Sequence, residues 1–383
     1  MSVTAPEGFV AAGIHCGIKG SGALDLALVA TADGAAVPAA GVFTQNLACA
    51  GPVRVSRHHL ETTGGHAAAV ILNSGNANCA TGDDDAVARV MCELTAKELG
   101  CGEEHVLVCS TGLIGIPLSL DPLRTGIPAA AAARAGTGGP AAARAIMTTD
   151  TVPKEVVVDG AGFVVGGMAK GAAMLAPNMA TMLAVLTTDA AVEPADLHDV
   201  LARAVEGSFN RVVVDGCTST NDTVLLLASG ASGRPDPVAF AFAVGGACHE
   251  LAMQMARDAE GHTKVVTVAV EGAATAEDAE RAARKLAGSL LVKSSFYGSD
   301  PYWGRVLSEL GVAGVAVDVD AVTIAYDGVV VSKGRAPTGA DATGVAAEAE
   351  FTLTCRLGAG DASYHVYTND LSHAYIDENM GTS

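Results

Sequence analysis

Residues 166–183 read GGMAKGAAMLAPNMATML, a glycine- and proline-containing run in which Thr181 stands against an apolar stretch. A hydroxyl at such a junction can attack the carbonyl of its own upstream peptide bond, here the bond between Ala180 and Thr181. Cleavage there would make Thr181 an N-terminal residue. Its free α-amine, with an ordinary pKa of about 7.7–8.0, could then act as general base for its hydroxyl. The alternative is a methionine-rich loop that enters a buried strand.

Composition indicates a globular protein and argues against two classes of partner. Of the 383 residues, 50% are hydrophobic and 17% are charged, and the net charge is −19. A chain of this length can bury a large core as one or two domains. Nucleic acids and anionic membranes need a basic face, so neither is an expected partner.

The cysteines and the termini favour a reducing compartment. The nine cysteines are scattered and show no Cys-x-x-Cys spacing, which indicates small buried side chains instead of disulfides or a zinc site. The N-terminus lacks the basic segment of a signal peptide. Apolar runs such as 237–248 are expected to be too short to cross a bilayer. We therefore predict a cytoplasmic protein with no metal site and no cofactor.

Strand-like and helix-like segments alternate, which predicts an α/β fold with sheets covered by helices. The β-branched content predicts strands, and apolar periodicity with turn and cap signals predicts helices. The predicted strands are 68–72, 106–108, 156–158, 182–186, 211–215, 265–270, 312–319 and 322–331, and the predicted helices are 84–99, 194–205, 237–256 and 276–291.

A second candidate for chemistry is the run CSTGLIG at 109–115, directly after a predicted strand. Thr111 followed by Gly112 can present a side-chain donor and an exposed backbone N–H together, which is what an oxyanion hole requires. The alternative is an ordinary strand-to-loop turn.

Further polar clusters keep both structural and functional interpretations open. Asp150, in the hydroxyl-rich run 147–151, is expected to make local turn hydrogen bonds. The run DGCTSTND at 215–222 could hold a ligand or organise a site. Glu260, in the run 258–264 after a predicted helix, is a candidate partner for an ammonium group. Trp303, the only tryptophan, is expected in a core or an interface.

Taken together, these segments resemble the ornithine acetyltransferase family, also called glutamate N-acetyltransferase, over nearly the full chain. The strongest part of the resemblance is the pattern Lys170-Gly-x-x-Met-x-Ala-Pro-Asn-Met-Ala-Thr181-Met-Leu. The supporting motifs are residues 73–78 (NSGNAN), 110–112 (STG), 148–151 (TTDT), 215–222 (DGCTSTND), 298–305 (GSDPYWGR) and 378–379 (EN).

The resemblance implies an N-terminal-nucleophile-like precursor with stacked β-sheets flanked by helices. It would be cut between Ala180 and Thr181 into an α chain, 1–180, and a β chain, 181–383, which would assemble as an α2β2 heterotetramer. Thr181 would take the acetyl group from N2-acetylornithine and pass it to glutamate in a ping-pong reaction. Whether acetyl-CoA also serves as a donor stays open. A self-processed amidase or aminopeptidase and a processing-dead amino-acid-binding protein are the alternatives.

The resemblance also implies roles for individual residues. Thr111 and Gly112 would stabilise the oxyanion. The substrate contacts would come from Thr148, Lys170, Thr181, Glu260, Asn379 and Ser383, with Lys170 on the α-carboxylate and Glu260 on the ornithine ammonium.

The chain departs from the family pattern at three places. Ala173 stands where glycine is common, and its methyl group would matter if the backbone there needed a positive φ. Tyr302 stands where asparagine is frequent. The C-terminal tail is shorter than usual, so Thr382 is the alternative to Ser383 as the terminal hydroxyl contact.

Overall fold

The chain divides into two units in the computed structural model, which describes residues 2–174 and 182–380. The first unit contains the residues up to Asn210 together with Cys217–Met255, and the second contains Arg211–Gly216 and the residues from Ala256 onwards. The boundaries of these units do not coincide with the predicted α and β chains, 1–180 and 181–383. The division into chains concerns cleavage and stays a prediction.

A four-stranded sheet of the first unit is buried on both faces. Along its strand β2, Leu26 and Leu28 face a core with helices, while Ala27 and Val29 face a second core. This alternation follows from the two-residue period of a strand. The order is β1-β2-β5-β6, with β1 (Phe9–Ile14), β2 (Leu26–Thr31), β5 (Ala69–Asn76) and β6 (Val106–Leu113).

The second core lies between this sheet and a six-stranded sheet, because Val70 and Leu107 of one share a cluster with Met168, Val185 and Leu225 of the other. The first unit therefore contains two stacked sheets. The order is β4-β3-β11-β9-β8-β7, with β3 (Val37–Phe43), β4 (His66–Ala67), β7 (Lys154–Asp159), β8 (Val164–Lys170), β9 (Leu183–Ala190) and β11 (Thr223–Gly233).

Helices cover the outer faces of the stack. The helices that follow β3, β5 and β6 pack on the four-stranded sheet, and those that follow β9 and β11 pack on the six-stranded sheet. The short helix before β7 packs instead against β1 and β2, in the core between the two sheets. The elements are α1 (Gly51–Thr62), α2 (Asp84–Leu99), a 3₁₀ turn (Glu103–His105), α3 (Leu120–Ala133), α4 (Gly139–Ala145), α5 (Pro194–Glu206), a second 3₁₀ turn (Phe209–Arg211) and α6 (Pro237–Ala256).

The alanine-rich segment that begins near residue 129 packs closely against β1. A methyl group added at Gly13 would lie 2.0 Å from the carbonyl oxygen of Ala141, and one added at Gly138 would lie 1.8 Å from that of Ala11. Small side chains are therefore required where α4 contacts β1.

The second unit has a seven-stranded mixed sheet. The partly buried Trp303 packs against the core of this unit, in agreement with the expectation of a core or interface position. The order is β10-β17-β12-β16-β13-β14-β15, with β10 (Val212–Val213), β12 (Val265–Ala273), β13 (Thr323–Tyr326), β14 (Val329–Lys333), β15 (Ala336–Pro337), β16 (Glu350–Arg356) and β17 (Ala362–Asn369); its helices are α7 (Ala276–Ala287), α8 (Leu290–Tyr297), α9 (Trp303–Gly311), α10 (Thr343–Ala346) and α11 (His373–Asn379).

The predicted α/β class with stacked sheets flanked by helices is confirmed, and three predicted elements are wrong. The strand at 312–319 is a turn after α9, since Gly314 has a φ of 71°. The strand at 322–331 is a hairpin that turns at Asp327 and Gly328. The helix at 276–291 is two helices, because Ser289 caps α8 by accepting a hydrogen bond from the N–H of Val292.

Helix α6 has the predicted bounds, 237–256, and is therefore longer than the apolar run 237–248 that was expected to be too short to cross a bilayer. An 18-residue window of this 20-residue helix has a mean hydropathy of 1.2, so the helix is long and apolar enough to cross a membrane by length and composition, and 50% of that window is buried within the protein. Core helices of water-soluble proteins have the same length and composition. One such helix is therefore weak evidence for a membrane span.

Candidate active site

The Thr111-Gly112 pair lies at the end of strand β6, beside the end of β5. Ser74 and Gly75 of β5 are in register with Thr111 and Gly112. The Gly112 φ is 136°, and a methyl group there would lie 2.4 Å from the nitrogen of Asn76. Glycine is therefore required at position 112 by both conformation and space. Thr111 is buried, whereas Gly112 is exposed.

Asparagine side chains hold the loops around this strand end. Asn73 accepts a 2.6 Å hydrogen bond from the Ser110 hydroxyl and donates to the carbonyl of Asn76. Asn221 donates to the carbonyls of Ala77 and Ser110, at 2.7 and 2.9 Å. Two of the motifs quoted above, 73–78 and 215–222, thus have a structural role at this strand end.

Asp150 organises the adjacent cluster. Its Oδ1 accepts hydrogen bonds from Lys154 Nζ at 2.6 Å and from the N–H of Gly171 at 2.8 Å. Its Oδ2 accepts from the N–H of Thr148 at 3.0 Å and lies 3.9 Å from Lys170 Nζ. Burial alone would raise the pKa of this carboxyl, but the two ammonium groups and the hydrogen bonds outweigh burial and lower it. Asp150 is therefore a buried carboxylate with donors on both oxygens.

Lys170 connects this cluster to Thr111. The Lys170 side chain is only 3% exposed, and its Nζ donates to Thr111 Oγ1 at 3.4 Å. Because an ammonium group only donates, the Thr111 hydroxyl accepts this hydrogen bond, which leaves its own proton available for another acceptor. The structure thus brings together Thr111, Gly112, Thr148 and Lys170, four of the residues predicted from sequence.

The backbone after residue 170 shows whether position 173 needs a positive φ, the conformation in which the methyl group of Ala173 would matter. Ala173 does not have a positive φ, whereas its neighbour Met174 has a φ of 56°. The backbone at Ala173 therefore has a conformation that alanine adopts without strain. Ala180 and Thr181, the predicted cleavage site, lie outside the described residues.

Asp222 lies at the other end of that segment. Its Oδ1 accepts a 3.0 Å hydrogen bond from the N–H of Met182. Burial raises the pKa of this carboxyl well above its usual range, although the Met182 N–H, Ser219 and Lys170 lower it. Met182 is covalently bonded to Thr181, so the residue after the predicted nucleophile is held by a buried acid.

Lys19 is a site residue that the sequence interpretation missed. Its Nζ donates to the carbonyls of Leu24 and Met147, at 2.9 and 2.7 Å. Its side chain covers Gly75, where an added methyl group would lie 2.9 Å from Lys19 Cγ. Burial lowers the pKa of Lys19, and the nearby charge of Lys170 lowers it further. These effects outweigh Asp25, which raises the pKa. No motif in the sequence links Lys19 to Thr111. The link runs through Gly75, which Lys19 covers and which is in register with Gly112.

The other predicted contacts are in the second unit. Asn379 Nδ2 donates to Glu260 Oε2 at 2.7 Å and to the carbonyl of Tyr375 at 2.8 Å. Gly261 permits this arrangement, since its φ is 59° and a methyl group there would lie 2.1 Å from the nitrogen of Tyr375. Helix α11 therefore carries Asn379 to Glu260, and their role as substrate contacts stays a prediction. Ser383 and Thr382 lie outside the described residues.

Glu260 lines a cavity of about 210 Å³ within the second unit. Buried Lys293 also lines it, as do Asp215 and Tyr375, and the Tyr375 hydroxyl lies 3.4 Å from Asp215 Oδ2. The cavity has acidic, basic and hydroxyl groups, which suits a zwitterionic or charged small molecule. Within the described ranges, 2–174 and 182–380, no group of three or more metal-ligating side chains could hold a metal ion.

Sequence comparison identifies the family. The model of the ArgJ family matches residues 10–381. This chain belongs to the ArgJ family. A Mycobacterium leprae protein named Arginine biosynthesis bifunctional protein ArgJ is 50% identical over 391 residues, which cover 100% of this chain and 95% of that protein. The protein of the same name from Streptomyces coelicolor is 48% identical, and the match covers both chains fully.

A solved structure of ornithine acetyltransferase from Mycobacterium tuberculosis, in complex with ornithine, is 44% identical to this chain. The match covers 46% of this chain and 94% of that one, with a TM-score of 0.41. The predicted membership in this family of arginine-biosynthetic acetyltransferases is confirmed by the sequence matches, and the enzyme class is acyltransferase.

Proposed function

We propose that this ArgJ-family enzyme cleaves itself between Ala180 and Thr181 and then transfers the acetyl group of N2-acetylornithine to glutamate through an acetyl-Thr181 ester. The observation that carries the proposal is the cluster of Thr111, Gly112 and Lys170. Strand β8 brings Lys170 to this cluster. Strand β9, which follows Thr181, pairs with β8, so that Leu183 lies opposite Lys170.

The first event is cleavage. Thr181 Oγ attacks the Ala180 carbonyl carbon, the peptide C–N bond breaks, and the nitrogen takes the hydroxyl proton to become the α-amine. Water then hydrolyses the resulting ester, which leaves a carboxylate on Ala180 and restores the Thr181 hydroxyl. The β8–β9 ladder would hold the two new chains together, since the cut falls between two adjacent strands of one sheet.

The second event is acetyl transfer. The Thr181 amine accepts the hydroxyl proton while Oγ attacks the acetyl carbonyl carbon of N2-acetylornithine. The oxyanion receives hydrogen bonds from the Thr111 hydroxyl and the Gly112 N–H, and one such donor typically lowers the barrier by about 3–4 kcal/mol. The C–N bond then breaks, the proton passes to the leaving amine, and ornithine departs. Glutamate reverses these steps and leaves as N-acetylglutamate.

Substrate contacts follow from the charges. Lys170 would bind the substrate α-carboxylate, with Thr148 beside it. Glu260, held by Asn379, would bind the ornithine ammonium. Ser383, with Thr382 as the alternative, would contribute the C-terminal hydroxyl.

The proposal also covers a second acetyl donor, the assembly of the chains and their location. The relatives are named bifunctional proteins, so we include acetyl-CoA as a second acetyl donor. We also propose an α2β2 assembly and a cytoplasmic location, which suits the nine free cysteines.

The test is an acetyl-transfer assay on the purified enzyme. With ornithine and N-acetylglutamate, the transferase should form N2-acetylornithine. An amidase or aminopeptidase would release only acetate, because water would take the acyl group from Thr181, and that result would overturn the proposal.

A further inference from the structure

The proposed ping-pong reaction poses a problem of charge. The donor ends in an ammonium group and the acceptor in a carboxylate, yet in a ping-pong scheme both side chains occupy the same pocket in turn. A pocket whose only charged groups were the carboxylates that line this cavity, Asp215, Glu260 and Asp370, would repel glutamate. A cation is therefore required in the same cavity.

Lys293 is such a cation. It lies on α8, is 4% exposed and lines the cavity with Glu260. Its Nζ donates to Thr368 Oγ1 at 2.9 Å and to the carbonyl oxygen of Asn369. Both acceptors are neutral, and no ion pair joins Lys293 to a carboxylate in the described part of the chain.

The donor capacity of Lys293 is thus incomplete. An ammonium group has three N–H donors, and the described residues accept two of them. Burial lowers the pKa of Lys293 to about 8, against the opposing effects of Asp370 and Asp215, so the ammonium form predominates at pH 7. One charged donor is therefore available to a ligand in the cavity.

We propose that Lys293 binds the γ-carboxylate of the acceptor glutamate, and that Glu260, in the same cavity, binds the ammonium group of the donor. This inference rests on the proposed acetyltransferase function. Lys293 is then a specificity residue for the second half-reaction alone.

Lys264 provides a matched control. It is also a buried lysine of the second unit, and its Nζ also donates to a hydroxyl, Ser299 Oγ at 2.8 Å, and to a backbone carbonyl, that of Ala346. Burial lowers its pKa as well. Lys264 does not line the Glu260 cavity. The Lys293→Gln and Lys264→Gln variants should therefore perturb folding in similar ways and differ in substrate recognition.

The experiment measures the two half-reactions separately. Release of ornithine from N2-acetylornithine reports the first, and transfer from the acetyl-enzyme to glutamate or to its neutral isostere glutamine reports the second. We expect Lys293→Gln to lower kcat/KM for glutamate by about 10- to 100-fold, as loss of a charge-assisted hydrogen bond does. Ornithine release and transfer to glutamine should change little, and Lys264→Gln should keep the wild-type preference for glutamate.

Equal loss in both half-reactions, or the same loss of preference in Lys264→Gln, would overturn the inference about Lys293. Wild-type enzyme that releases no ornithine would instead overturn the proposed function, so the two failures are distinguishable.

If Lys293→Gln does not fold, Lys293→Arg and a pH series on the wild type decide. The arginine variant should keep the preference for glutamate because it keeps the positive charge. In the wild type, the ratio of kcat/KM for glutamate to that for glutamine should fall as pH rises through about 8, where Lys293 loses its proton. The other ionisable groups that face Lys293 are Asp215, Glu260, Asp370 and Tyr375. A ratio that stays constant through this range would contradict the proposal.

Discussion

Two clusters of buried residues differ in the groups that their lysines contact. In the first unit, Lys154 and Lys170 both approach the carboxylate of Asp150, which also accepts backbone N–H groups. In the second unit, the described residues offer Lys293 neutral acceptors only, and Lys293 lines a cavity with Glu260. In the first cluster, two ammonium groups share one carboxylate, which fixes their geometry and leaves one net positive charge that suits a substrate α-carboxylate. In the second cluster, the ammonium group of Lys293 keeps a donor for a substrate side chain.

The cluster around Asp150 should be the more costly one to break. Asp150→Ala would leave two buried ammonium groups without their carboxylate, and breaking a buried ion pair typically lowers the free energy of unfolding by about 3–5 kcal/mol. Denaturation in urea measures this loss. Asp150→Asn, which keeps an acceptor but removes the charge, is the matched control and should fall between Asp150→Ala and the wild type. A loss no larger than that of Glu260→Ala would remove the distinction between the clusters.

Gly112→Ala should affect chemistry as well as folding. The new methyl group would meet the Asn76 nitrogen at 2.4 Å, so the strand end must move. Displacement of an oxyanion donor typically lowers kcat by about 10²- to 10³-fold. Gly115→Ala is the control, since Gly115 also has a positive φ, 79°, but has no atom within 4 Å of the added methyl group. Similar kcat values for the two variants would place the effect in backbone strain alone.

Glu260→Gln should weaken binding of the acetyl donor, N2-acetylornithine, without weakening binding of the acceptor, glutamate. Loss of the carboxylate removes the partner of the ornithine ammonium, and we expect KM for N2-acetylornithine to rise by about 10- to 100-fold. KM for glutamate should stay constant or fall. Steady-state kinetics with each substrate varied in turn measures both values. A parallel rise in the two KM values would show that Glu260 does not discriminate by charge.

Asp222→Asn should give the smallest effect, and one that depends on pH. The folded-state pKa of Asp222 is raised, so its carboxyl favours the folded state below its unfolded pKa, and that contribution is lost as pH rises through the folded pKa. The asparagine variant can keep the acceptor for the Met182 N–H without a buried charge. It should therefore gain stability relative to the wild type as pH rises, by thermal denaturation at several pH values. An advantage that grows towards acid pH would contradict this sign.

Local patterns predicted much of the fold. Helix α2 begins and ends as predicted at Asp84–Leu99, because acidic residues start it and Gly100, with a φ of 74°, ends it. The predicted strand at 312–319 failed because its valines suggested a strand, whereas no neighbouring strand pairs with it in the described residues. Single-segment propensity does not report pairing.

The candidate site also contains residues that local patterns predicted and residues that they did not. Thr111, Gly112 and Lys170 were found from motifs, and pairing of distant strands brings them together. Lys19 and Lys293 were missed because isolated lysines carry no sequence signal. Their places follow from contacts between distant parts of the chain, such as those of Lys19 with Met147 and of Lys293 with Thr368, 128 and 75 residues away in sequence.

The most direct test of the central claim is intact-mass analysis of the purified enzyme under denaturing conditions, before and after exposure to N2-acetylornithine. We predict two fragments that meet between Ala180 and Thr181, and the fragment that begins at Thr181 should gain the mass of one acetyl group and lose it when glutamate is added. A single species of 38.2 kDa that gains no acetyl group would contradict both self-cleavage and the acetyl-Thr181 intermediate.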